Sequence, residues 1–197
     1  PAPLSLMQQR LWFLEQLDPG LAVQNLPSAF RIRGALNAEA LERAIQEILA
    51  RHEVVRTVFG EHDGEPVQIV RSDASIQLLP PIDLSDVPAA RREAHLIELL
   101  EERAARPFDL ARGPLFTGAL YRLGPEEHVL FWMVHHAVWD GWSFDVLLHE
   151  LDVLYGAFSQ GKPSPLPPLP IRYRDFAAWH RRWLQGPELD EQASYWR

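Results

Sequence analysis

The 197-residue chain contains no cysteine, which excludes disulfides, thiolate nucleophiles and cysteine-rich zinc sites. Excess positive charge is missing too: the net charge of -8 and a pI near 5.5 leave no basic face for phosphates, so no nucleic-acid partner is expected. No apolar run reaches the roughly 20 residues of a membrane span. The N-terminus lacks the basic segment followed by an apolar stretch that marks a signal peptide. A cytoplasmic protein with no membrane partner is therefore expected. No internal repeat is evident, and at 47% hydrophobic the chain can bury a sizeable core as one domain.

The pattern that is present suggests an α/β (α+β) fold, a mixed β-sheet covered by helices. Leu4, Leu11, Leu14 and Leu17 mark a first helix. Phe30 and Ile32 alternate with Arg31 and Arg33, as in a half-buried strand ending at Gly34. Asn37 can cap a helix that buries Leu41, Ala44, Ile45, Ile48 and Leu49. Val54 to Phe59 and Val67 to Val70 read as strands joined through a turn at Asp63-Gly64. Asp86 and Pro88 open a helix through Ala105, which Pro107 ends. Leu115 to Leu123 and His128 to His135 form a second strand pair across Gly124-Pro125. Trp12, Trp132, Trp179 and Trp183 fall on apolar patterns and are read as core. The proline-rich run from Pro163 to Pro170 is a stiff connector between helices.

Chemistry is expected where the apolar strand ending at His135 meets the helix that follows Ser143, which is a suitable N-cap. Between them lie His136, Trp139, Asp140, Gly141 and Trp142. Neighbouring strand residues face opposite ways, so one histidine should face a cavity and the other pack. A neutral imidazole can take a proton from an attacking amine or hydroxyl and return it. The Gly141 amide, at a helix mouth, can support an oxyanion. Asp140 can orient the imidazole or pair with an arginine. With neither cysteine nor a second His/Glu pair at i, i+4 spacing on a helix, no metal is expected.

The series His135, His136, Asp140, Gly141, Trp142, Ser143 resembles the signature of condensation domains of nonribosomal peptide synthetases, relatives of chloramphenicol acetyltransferase. Ser5, Gln8, Arg10, Leu11 and Trp12 resemble the first family motif, with Met7 where alanine is usual. Arg51, His52, Glu53, Arg56, Thr57 and Phe59 resemble the second, with Val55 in place of a common leucine. The stretch Pro107 to Leu115 is a further familiar run, although Thr117 stands where arginine is frequent, and Tyr173, Asp175, Phe176, Ala177 and Trp179 match the fourth motif.

The resemblance implies a chloramphenicol acetyltransferase-like lobe that helps form an amide between a donor acyl or peptidyl thioester and an acceptor aminoacyl thioester. Phosphopantetheine would arrive on donor and acceptor carrier proteins, with no cofactor bound tightly. It casts His136 and Gly141 as catalytic, and His135, Asp140, Arg56 and Arg51 as structural, with an Arg56–Asp140 pair fixing the turn. Trp139, with Trp142 and Ser143, is expected along the substrate channel. The family's later motifs do not follow Trp196, and Pro1 replaces an initiator methionine. Residues 1–197 are thus expected to be the N-terminal lobe of a larger synthetase, the second, C-terminal lobe absent and the isolated half inactive. Two other readings remain: a stand-alone trimeric acyl-coenzyme A-dependent acyltransferase, and a noncatalytic carrier-docking lobe.

Overall fold

The computed structural model describes residues 1–20, 22–73 and 75–196. The chain runs through β1 (Ala2–Pro3), α1 (Leu6–Leu17), β2 (Asn25–Arg33), α2 (Ala38–Arg51), β3 (Thr57–His62), β4 (Glu65–Val70) and β5 (Ile82–Asp83). It continues through α3 (Ala89–Ala104), β6 (Phe116–Gly124), β7 (Glu127–His135), α4 (Gly141–Ser159), α5 (Tyr173–Trp183) and α6 (Pro187–Tyr195).

Strand β7 lies inside a four-stranded sheet of order β2-β7-β6-β5. It pairs antiparallel with β2, from Asn25 opposite His135 to Arg33 opposite Glu127, and antiparallel with β6. The short β5 runs parallel to β6, so the sheet is mixed. A separate three-stranded sheet has the order β1-β4-β3.

The continuous apolar run of β7 follows from burial on both faces. Leu130, Trp132 and Val134 join a core with α2 and α4, whereas Val129, Phe131 and Met133 pack with Leu96 of α3. Helix α2 buries the five residues its spacing predicts, and Asn37 accepts a hydrogen bond from the Ala40 amide at 3.0 Å. Asp63 and Gly64, both at positive φ (53° and 79°), make the tight β3–β4 turn. The residues from Pro163 to Pro170 connect α4 and α5 without regular structure.

Several expectations shift. Residues Glu53–Arg56 form a 3-10 turn, and β3 begins only at Thr57. The reason is local: the Thr57 hydroxyl donates to the Glu53 carbonyl at 2.9 Å, and Arg56 donates to the Leu49 and Ala50 carbonyls at the end of α2, groups a helix C-terminus leaves unbonded. Helix α1 starts at Leu6 because Ser5 and Gln8 form a reciprocal capping box. Of the tryptophans assigned to the core, Trp132 is fully buried, but Trp179 and Trp183 are about half exposed, stacked along α5 with centroids 5.7 Å apart. Among the described residues no helix is long and apolar enough to cross a membrane.

Candidate active site

Strand β7 ends at His135, the backbone turns through residues 136–140, and α4 starts at Gly141. Asp140, not Ser143, is the N-cap. Its Oδ1 accepts from the Ser143 amide at 2.9 Å and from the Ser143 hydroxyl at 2.7 Å, while Ser143 Oγ accepts from the Asp140 amide at 3.2 Å. This capping box uses the carboxylate where the first amides of α4 need an acceptor.

The expected Arg56–Asp140 pair does not form. The Arg56 guanidinium donates to the carbonyls of Leu49, Ala50 and Arg71, tying the end of α2 to the segment after β4. Asp140→Ala is therefore expected to lower stability by about 1 kcal/mol. Urea denaturation should find its effect additive with that of Arg56→Ala; coupling above about 1 kcal/mol would restore the pair.

Gly141 does not adopt the left-handed backbone a tight glycine turn would require. A Cβ built there meets nothing within 4 Å, so the residue leaves open space beside the positive end of α4.

The two histidines divide as the strand geometry predicts. His135 is 2% exposed, lies edge-on to Phe108 at 6.2 Å, and its Nδ1 accepts from the Ala137 amide at 3.1 Å. Burial, then the proximity of His136, pushes its pKa down to about 4. Because the unfolded chain binds this proton more readily, stability is complete above the ordinary histidine pKa and falls as pH drops toward 4. Between pH 7 and pH 5 the loss is about 2 kcal/mol. Urea midpoints of the wild type and His135→Asn should diverge over that interval, the variant lacking this component; equal slopes would contradict the assignment.

His136 is exposed and borders a cleft of about 400 Å³ whose other walls include Gln8, Leu11, Val54, Ser143 and Tyr173. Its Nδ1 lies 2.7 Å from the Trp139 carbonyl. A carbonyl only accepts, so Nδ1 carries hydrogen and the Nε2 of the neutral ring keeps its lone pair. The main chain is fixed as well: the His136 amide donates to the Gln24 carbonyl at 2.9 Å.

Gln8 is buried, accepts from the Ser5 amide at 3.0 Å, and donates to the Ala137 carbonyl at 3.3 Å. Ser5 Oγ and the Tyr173 hydroxyl are 3.0 Å apart. Segments from the start, middle and end of the sequence thus meet around His136.

Trp139 lines the cleft, as expected, and also belongs to the core. It is 7% exposed, and its ring lies 5.8 Å from Trp132 and 5.4 Å from Phe144, so the core anchors the carbonyl that orients His136. Trp142 is 76% exposed and borders an adjoining slot rather than the cleft, whereas Ser143 lines both.

Arg51 is not solvated. Its Nε donates to Glu150 Oε1 at 2.9 Å, and His52 Nε2 is 2.7 Å from Glu150 Oε2, joining α2 to α4. The sequence carried a signal for this triad: Glu150 shares the buried stripe of Leu147, Leu154 and Phe158, where a carboxylate requires partners. Among the described residues no group of three acidic or histidine side chains is arranged to hold a metal ion.

The family profile described as Condensation domain matches residues 1–197. The chain is 44% identical over 197 residues to the phosphinothricin tripeptide synthetase PhsC of Streptomyces viridochromogenes, a match covering 100% of this chain and 18% of that protein. Its structure is similar to the X-domain from teicoplanin biosynthesis, with a TM-score of 0.85 and 31% identity over 98% of this chain and 42% of that one. It is also similar to the first condensation domain of the CDA synthetase, with a TM-score of 0.82 and 25% identity over 99% of this chain and 49% of that one. The chain thus spans a small part of the curated relative and less than half of each solved structure.

Proposed function

The chain belongs to the condensation-domain family, and on that footing we propose that it is the N-terminal lobe of a two-lobed enzyme that forms amides from carrier-bound thioesters in the cytoplasm. The donor is an acyl or peptidyl group and the acceptor an aminoacyl group, each on the phosphopantetheine arm of a carrier protein. The acceptor amine attacks the donor carbonyl carbon, the C–N bond forms, the C–S bond breaks, and the donor's arm departs as a thiol.

His136 contributes at the proton transfers. With Nδ1–H held by the Trp139 carbonyl, Nε2 accepts the amine proton and returns it to the departing sulfur. The Gly141 amide, at the positive end of α4, stabilises the tetrahedral oxyanion. A thioester is already activated, so alignment of the two arms supplies much of the acceleration. The observation that carries this reading is the fixed tautomer of His136 at the wall of the cleft.

The test combines this chain with a second lobe and supplies carriers loaded with donor and acceptor. Mass spectrometry should detect the amide. Carrier binding without product would favour recruitment instead, a reading supported by the similarity to the teicoplanin X-domain, which has been solved in complex with OxyB.

A further inference from the structure

Beside the His136 cleft lies a second recess, of about 160 Å³, bordered by Ile48, Val55, Trp142, Val146 and Leu147 among others. Val54, Val138, Trp139 and Ser143 line both cavities, so the slot adjoins the place where the proposed chemistry occurs.

Its chemistry is almost wholly hydrocarbon. Two of the polar side chains on its wall are already engaged: the Ser143 hydroxyl donates to Asp140 at 2.7 Å, and His52 Nε2 lies 2.7 Å from Glu150; the buried Trp139 indole N–H has no hydrogen-bond partner. With Ile48, Val54, Val55, Val138, Val146 and Leu147 making most of the wall, an aliphatic group entering the slot loses only unfavourable hydration, whereas a strongly polar one exchanges several water contacts for few protein partners.

The walls are held from behind. The Arg51–Glu150–His52 contacts join the end of α2 to α4, the helices that supply Ile48 on one side and Val146 and Leu147 on the other. The Trp132–Trp139–Phe144 cluster fixes the shared wall. The exposed Trp142 indole stands at the rim as an apolar surface for an entering group.

We propose that this slot is a specificity pocket for a branched aliphatic side chain of a substrate residue. The inference rests on the condensation reading and goes further in naming the substrate class. A leucine-sized group fills the recess, and glycine leaves it empty. One added methylene in such a pocket changes selectivity by about tenfold or more, so a preference of at least about tenfold for leucine over glycine is expected.

Binding tests this independently of turnover. The chain, with methyl-labelled valine and leucine, is titrated with leucyl and glycyl N-acetylcysteamine thioesters. The leucyl probe should shift the Val146 and Leu147 methyl resonances at concentrations at least about tenfold lower than the glycyl probe. Val146 is only partly buried, so Val146→Phe can fill the slot while the fold is verified from the unchanged remaining methyl spectrum. In that variant the leucyl preference should vanish. Equal response to both probes, or a leucyl preference that survives in Val146→Phe, would overturn the proposal. Because no product is measured, a lobe that binds but does not condense still reports on the slot. Product lost in a folded His136 variant, with no leucyl preference, would preserve the reaction and reject the pocket.

Discussion

His136→Ala is expected to slow amide formation about 100- to 10,000-fold in the assembled domain, the range associated with a positioned general base. The ring's two nitrogens have separate tasks, and two substitutions can divide them. Alanine removes both the Nε2 lone pair and the Nδ1–H bond to the Trp139 carbonyl. Asparagine offers an amide N–H near the position of Nδ1, so it can keep the turn closed while supplying no base. Both variants should therefore fall in kcat, with urea midpoints close to the wild type because the side chain is exposed. Rapid turnover by a folded His136→Asn would instead assign His136 to holding the turn, with the amine losing its proton elsewhere.

Glu150→Ala should lower stability by about 3 kcal/mol or more, since removing one member of a buried ion pair strands the other. The Glu150 side chain is 8% exposed and that of Arg51 13%. The consequences extend along the chain because Arg51 also donates to the Pro167 carbonyl, and Arg172 donates to the Arg51 carbonyl at 2.7 Å. Losing the carboxylate thus loosens α2 from α4 and weakens the anchorage of the connector before α5. Replacing the pair together, Glu150→Leu with Arg51→Met, should cost much less than Glu150→Ala alone, because no unpaired charge remains. Urea denaturation measures both; a loss below about 1 kcal/mol for Glu150→Ala would show that water or another group satisfies Arg51.

The sequence was most legible where hydrophobic spacing and burial coincide. Strand β7, five of the six buried core residues of α2, and the Asp63-Gly64 turn follow from burial on two faces, burial on one face, and tolerance of positive φ. The division of His135 from His136 agreed with strand parity in outcome, but its cause is the end of β7 at His135, which leaves His136 in the turn. Less legible were contacts decided by competition among partners. Arg56 had carbonyls at the end of α2 within reach, Asp140 had the amides of α4, and neither preference is encoded by spacing alone. Trp179 showed the limit from another side: its apolar periodicity marked a face of α5 without showing what covers that face. The two-residue strands β1 and β5 are too short to carry a period.

The order of the strands along the chain also constrains how the molecule folds. Strands β6 and β7 are joined by a short turn and can pair soon after both exist, but β2 must wait for β7 across α2, the β3–β4 hairpin and α3. Closing so long a loop carries an entropic penalty before its contacts repay it, which slows folding. Until then the Leu26, Phe30 and Ile32 side chains have only part of their eventual core, and the edge of β2 is open to other chains. Refolding yield should therefore fall as protein concentration rises, and the His136 turn, held by the hydrogen bond that its backbone N–H donates to the Gln24 carbonyl just before β2, should be completed only when this last long-range pairing closes.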